Sequence, residues 1–162
     1  QQVCEALERN MFVREISLRA SKDRLRDLNI IIRSTLKRDL TYELTLNHYD
    51  KYYVDLEFIH FCSKNNKSLK TLKINIDAID DQTASSLSNI VSDSNIEELR
   101  IIGSYYSKTV QISDLGWLRL VNAVNGSKVH TVTGLRDVYL YRNKNSKIPI
   151  PSHLIRSKSA MK

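Results

Sequence analysis

The phrase Leu69-x-x-Leu72-x-Ile74 returns 27 residues later as Ile96-x-x-Leu99-x-Ile101. The alternation in Leu72-x-Ile74 suits a strand, and the three-and-four spacing of Ala84-x-x-Leu87-x-x-Ile90-Val91 between the copies suits a helix. Each period therefore holds one strand and one helix. The same phrase stands 28 residues earlier as Leu44-x-Leu46 in YELTLN, and 28 earlier again as Ile16-x-Leu18 in REISLR. Beyond Leu99 the match is Val129-x-x-Val132, delayed to a 33-residue step across GSYYSKTVQ, residues 103–111, which reads as a longer connecting loop. The following helix is expected to begin near Ser113 and Asp114.

The helical positions give an independent check on this register. Twelve residues before each strand centre stand Cys4, Ile32, His60, Leu87 and Leu120; nine before stand Leu7, Thr35, Ser63, Ile90 and Ala123. The third unit is out of step, since Ile59 and Cys62 stand where these columns expect His60 and Ser63. One strand and one helix cannot bury their apolar faces alone. Stacked units place strands about 4.8 Å apart and helices about 10 Å apart, so one core runs through the stack, and the mismatch in spacing forces curvature.

These residues resemble the ribonuclease-inhibitor type of leucine-rich repeat, also found in the sensor ends of NOD-like receptors and in bacterial effector proteins. The resemblance rests on Leu69, Leu72, Ile74, Asp77, Ile79, Asp81, Ala84 and Leu87, and on the helix-to-strand joints LERNMFVREISL, SKNNKSLKTLKI and VSDSNIEELRI. After each strand, where the family carries a ladder of Asn, this chain has Ser21, Tyr49, Asp77 and Ser104. The resemblance implies an α/β leucine-rich-repeat solenoid, a curved right-handed superhelix with a parallel sheet on the concave face and helices on the convex face. It implies about five repeats over residues 1–142, the last degenerate, followed by a basic tail or cap at 143–162. It also implies a non-enzymatic protein-interaction module in the cytoplasm, or in the host cytosol for a bacterial effector, as part of a larger effector or intracellular receptor.

The net charge of +7 is unevenly placed. Residues 143–162 carry five cations and no acid, residues 128–142 a net +2, and residues 1–127 are neutral. A basic end beside IPIPS reads as a solvated tail rather than a polyanion site, which argues against nucleic acid or membrane as the main partner. No apolar run approaches the roughly 20 residues of a membrane span. Gln1 falls inside what already reads as a helix, VCEALERN, so the residues read as a fragment lacking its native start. Two alternatives remain open: the repeats regulate or target a catalytic domain elsewhere in the protein, or the basic C-terminal end binds polyanions.

Chemistry finds no foothold in the motifs. His48, His60, His130 and His153 are not at zinc-helix spacing, so no metal or cofactor is expected. The acidic run DAIDD reads as a turn and helix N-cap. Phosphate loops, dinucleotide glycines and a nucleophile elbow do not occur, and Trp117 falls on the apolar face of LGWLRLVNAV. Cys4 and Cys62 lie on helices two units apart, on the order of 20 Å, too far for a bridge, and read as small core residues.

The outward strand positions are then the candidate site. They run Arg14, Glu15, Ser17, Arg19; Tyr42, Glu43, Thr45, Asn47; Lys70, Thr71, Lys73, Asn75; Glu97, Glu98, Arg100, Ile102; and His130, Thr131, Thr133. The plain reading is a solvated sheet face. The functional reading takes Arg14, Ser17, Tyr42, Thr45, Lys73, Asn75 and Arg100 as a partner-binding surface, with Arg14, Tyr42, Lys73 and Arg100 adjacent across strands, because Tyr and Arg carry much of the energy at protein interfaces. Tyr105 and Tyr106, in the long loop, are expected to overhang the rim as an aromatic contact.

Overall fold

A computed structural model describes residues 2–10, 12–20, 24–37, 39–48, 55–76, 79–102 and 110–134. The positions after the strands (Ser21, Tyr49, Asp77, Ser104), Tyr105, Tyr106 and the basic end lie outside the described residues. Helices are separated by one or two strands along the chain: α1 (Gln2–Arg9), β1 (Glu15–Ala20), α2 (Leu25–Lys37), β2 (Glu43–His48), α3 (Leu56–Ser63), β3 (Thr71–Asn75), β4 (Ile79–Asp80), α4 (Asp81–Asp93), β5 (Glu98–Ile102), β6 (Val110–Gln111), α5 (Asp114–Gly126) and β7 (Thr131–Thr133). The fold is α/β, with a five-stranded parallel sheet ordered β1-β2-β3-β5-β7. Neighbouring strands in the sheet follow one another in the repeat, and each helix packs on the helix of the next unit.

The register is that of the repeated phrase. Ile16, Leu44, Leu72, Leu99 and Val132 are successive Cα partners, as are Leu18, Leu46, Ile74 and Ile101. These side chains share one core with Ile32, Ile59, Leu87, Ile90, Trp117 and Leu120 from the helices. A further bond repeats with the units, just before each strand. The Arg14 carbonyl accepts the N–H groups of Tyr42 and Glu43 at 2.7 and 3.1 Å, that of Tyr42 accepts Lys70 and Thr71, that of Lys70 accepts Glu97 and Glu98, and that of Glu97 accepts His130 and Thr131. Four junctions thus share one geometry although the steps between them are 28, 28, 27 and 33 residues.

Helix starts are set by short polar caps. Asp55, Asp80 and Ser113 each accept the backbone N–H three residues on, which satisfies a donor the helix leaves open. The acidic run is thereby divided: Asp80 caps α4, whereas Asp81 bonds the Ser113 N–H of the following unit at 2.7 Å. Gly134, at φ +89°, closes β7 where a Cβ would stand 1.8 Å from the Ile101 carbonyl oxygen, so no other residue fits there.

Three expectations need correction. Residues 103–111 are not all loop, because Val110 and Gln111 pair with Ile79 and Asp80 as a second, two-stranded sheet. The third helix is only half out of step: Ile59 replaces His60 in the core as expected, but Ser63 keeps its place fully buried and Cys62 is half-buried against the core. The i, i+4 spacing of Ile59 and Ser63 still puts both on one helix face. Cys4 and Cys62 are free thiols, half-buried rather than fully enclosed, and burial raises the pKa of Cys62.

Candidate partner-binding face

On the sheet face opposite the core, side chains fall into rows that cross the strands. One row is Ser17, Thr45, Lys73, Arg100 and Thr133; beside it runs Glu15, Glu43, Thr71, Glu98 and Thr131. Just before the strands, the carbonyl bridges align Arg14, Tyr42, Lys70, Glu97 and His130 as a third row. Arg14 and Tyr42 are therefore neighbours, and so are Lys73 and Arg100, but the two pairs belong to different rows about 10 Å apart along the strands, at about 3.3 Å per residue. The four do not form one adjacent cluster.

The rows also differ in how far their charges are engaged. Lys73 Nζ lies 2.5 Å from Glu43 Oε1, and Arg100 Nε 2.6 Å from Glu98 Oε1. Thr45 and Thr71 hydroxyls donate to the same two glutamates at 3.3 and 3.4 Å. Asn47 donates to the Ser17 hydroxyl at 3.1 Å. Lys70 Nζ lies 2.7 Å from Glu97 Oε1 and His130 Nε2 3.8 Å from Glu97 Oε2; the Lys70 hydrogen bond, chiefly, holds the Glu97 carboxyl below its ordinary pKa. Asn75 is half-buried at the end of β3.

Against this netted surface, Arg14 is exposed with no ion pair among the described residues, and Tyr42 is 50% exposed. Ile102, at the far end of β5, is 42% exposed on the same face. Any contact made through Lys73 or Arg100 would have to displace an existing carboxylate.

A feature that periodicity alone did not reveal borders this face at the helix-to-strand joints. Asn10 Oδ1 accepts the N–H groups of Phe12 and Val13, and Asn66 Oδ1 those of Ser68 and Leu69, at 2.7–3.0 Å. Asn66 Nδ2 donates to the Leu36 carbonyl at 2.6 Å, Asn95 Nδ2 to the Asn66 carbonyl at 3.4 Å, and Lys128 Nζ to Asn95 Oδ1 at 2.6 Å. Asp39, at φ 50°, accepts from Lys67 and Ser68 across the same seam. The signal available in the sequence was the recurrence of Asn in LERN, SKNN and SDSN.

Among the described residues no group of three or more His, Cys, Asp or Glu is placed to hold a metal ion, and no helix is long and apolar enough to cross a membrane. No protein-family model, curated protein or solved structure matches the chain.

Proposed function

We propose that the chain is a leucine-rich-repeat solenoid of the ribonuclease-inhibitor type and acts as a non-enzymatic module that binds another protein on its outward sheet face. The repeated junction geometry supports the repeat assignment. The closer spacing of strands than of helices makes that sheet the concave side. The observation that carries the binding role is the pair Arg14 and Tyr42, exposed side by side at the margin of a face on which Lys70, Lys73 and Arg100 are engaged with Glu97, Glu43 and Glu98. Tyr offers a large contact area at small entropic cost, and Arg a planar fork of donors. Ser17, Thr45, Lys73, Asn75 and Arg100 then form the polar surround, and Tyr105 and Tyr106 extend the proposal beyond the described residues.

The test is affinity capture with the unaltered chain, with Arg14→Ala/Tyr42→Ala, and with Phe61→Ser as a control on the exposed helical side, where Phe61 is 67% exposed. The proposal expects a protein recovered by the first and third and lost from the second. Equal recovery by all three removes it.

A further inference from the structure

The outer side of α2 carries Arg26, Ile30, Arg33 and Lys37 at i, i+4, i+7 and i+11, all of them exposed. That spacing makes one stripe along the helix, about 16 Å long at about 1.5 Å per residue. Leu28, Ile32 and Leu36 turn the opposite side into the core. On α3, which packs beside α2, Phe61 and Lys64 lie one turn apart and face outward, while Ile59 and Ser63 are buried. Arg33 lies close to this helix: burial raises the Cys62 pKa, and the Arg33 charge opposes that rise. The two outer sides therefore adjoin, with Ile30 50% and Phe61 67% exposed among four cations. Among the described residues Arg26, Arg33 and Lys37 have no ion pair, and Lys64 Nζ stands 3.7 Å from Asp93 Oδ2. The acids on the two helices lie toward their starts, Asp27 against Arg24 at 3.3 Å and Glu57 one turn before Phe61.

Helix dipoles explain only part of this arrangement. A cation in the last turn is favoured, which covers Lys37 and Lys64 but neither Arg26 and Arg33 nor the two apolar side chains. The next helix, α4, has no Lys or Arg and exposes Gln82, Asn89 and Ser92 instead, so the combination is particular to α2 and α3. We infer that this side of α2 and α3 docks on an anionic lipid bilayer. The cations face the headgroups, where each raises the affinity about fivefold. Ile30 and Phe61 enter the boundary between headgroups and acyl chains, as the apolar residues of an interfacial helix do. Apolar side chains inside the cationic patch set a bilayer apart from nucleic acid, whose phosphates would engage the cations but leave Ile30 in water. The outward sheet face lies on the other side of the core and stays open to a protein partner.

Co-sedimentation of the full chain with vesicles tests this, using phosphatidylcholine alone and phosphatidylcholine with about 30% phosphatidylserine, an anionic lipid of the cytoplasmic leaflet. Binding is expected with the anionic vesicles only, and it should weaken as salt rises. Arg33→Glu/Lys37→Glu is expected to weaken it about 25-fold or more, and Ile30→Ser/Phe61→Ser about tenfold or more. All four sites are exposed, so the far-ultraviolet circular dichroism of both variants should match that of the unaltered chain. Gln82→Ala/Asn89→Ala on α4 and Arg14→Ala/Tyr42→Ala on the sheet face should bind vesicles as the unaltered chain does. No binding to anionic vesicles, or equal binding to neutral ones, overturns the proposal. So does binding that survives both variants of α2 and α3, which would belong to the basic residues 143–162. Vesicle binding lost with the charge variant but kept in full by Ile30→Ser/Phe61→Ser overturns it as well, and marks a general polyanion site instead.

Discussion

Asp81 stands where a side chain on Gly116 would have to go. Its Oδ1, which accepts the Ser113 N–H at 2.7 Å, lies 2.1 Å from the place of a Cβ on Gly116. The contact joins the first turn of α4 to the first turn of α5, so one carboxylate fixes how two successive units seat on each other. It also explains a glycine inside a helix, where Ala is normally better by about 1 kcal/mol.

The two residues should therefore be coupled. Gly116→Ala pushes the carboxylate off the Ser113 N–H, a charged hydrogen bond worth about 1.5–3 kcal/mol, against the helix-propensity gain of about 1 kcal/mol. The expected result is a net loss of stability in the unaltered chain and a neutral or stabilising effect in an Asp81→Ala background. Urea denaturation of the four members of the cycle measures this. Equal effects of Gly116→Ala in both backgrounds would show that the contact carries no weight.

The joint asparagines predict a second loss. Asn66 is 2% exposed, and its side chain accepts two backbone N–H groups while donating to the Leu36 carbonyl. Asn66→Ala takes this partner from the Leu69 N–H and the Leu36 carbonyl at a seam between units, while the Ser68 N–H keeps Asp39, so a loss of about 2–4 kcal/mol is expected from two buried groups at about 1–3 kcal/mol each. Asn95→Ala, with one bond of 3.4 Å to the same seam and its Lys128 contact at the surface, should lose clearly less. The two midpoints in urea, compared directly, decide it, and equal shifts would contradict this ranking of the two joint asparagines.

Acid should weaken the fold through three carboxylates held below their ordinary pKa: Asp80 by the Thr83 N–H, Asp93 by the His60 hydrogen bond, and Glu97 by the Lys70 hydrogen bond. A depressed folded-state pKa gives stability that is present above the unfolded value and lost as pH falls through the folded one. The decline should therefore set in near pH 4 and continue below it. Asp80→Asn keeps the capping acceptor but removes the charge. Its melting temperature near pH 7 should change little while its fall below pH 4 becomes shallower, and an unchanged acid slope would contradict the assignment.

Much of this architecture was legible because apolar spacing is a local signal. Leu44, Leu72 and Leu99 lie 28 and 27 residues apart and become Cα partners in the same order. The partner-dependent features were not legible in the same way. DAIDD reads as a cap whether its last carboxylate serves its own helix or the next, and only the packing of α5 on α4 sends Asp81 to Ser113. Two residues, Val110 and Gln111, are too few to show alternation, so their pairing with β4 was hidden. On the outward face, the sequence showed Lys73 and Arg100 as basic, but their engagement depends on Glu43 and Glu98 lying two residues earlier in register, on the neighbouring strand for Lys73 and on the same strand for Arg100.

One hydrogen-bonded stack and one core run through the units. Native-state hydrogen exchange at the amides of Lys70, Thr71, Glu97 and Glu98 tests it most directly, since each donates to a carbonyl of the preceding unit. A single stack predicts that all four exchange through one common opening, with a free energy matching that of global unfolding by denaturant. Exchange of the Lys70 and Thr71 pair at a free energy far below that of the Glu97 and Glu98 pair, or of all four near the unprotected rate, would contradict it.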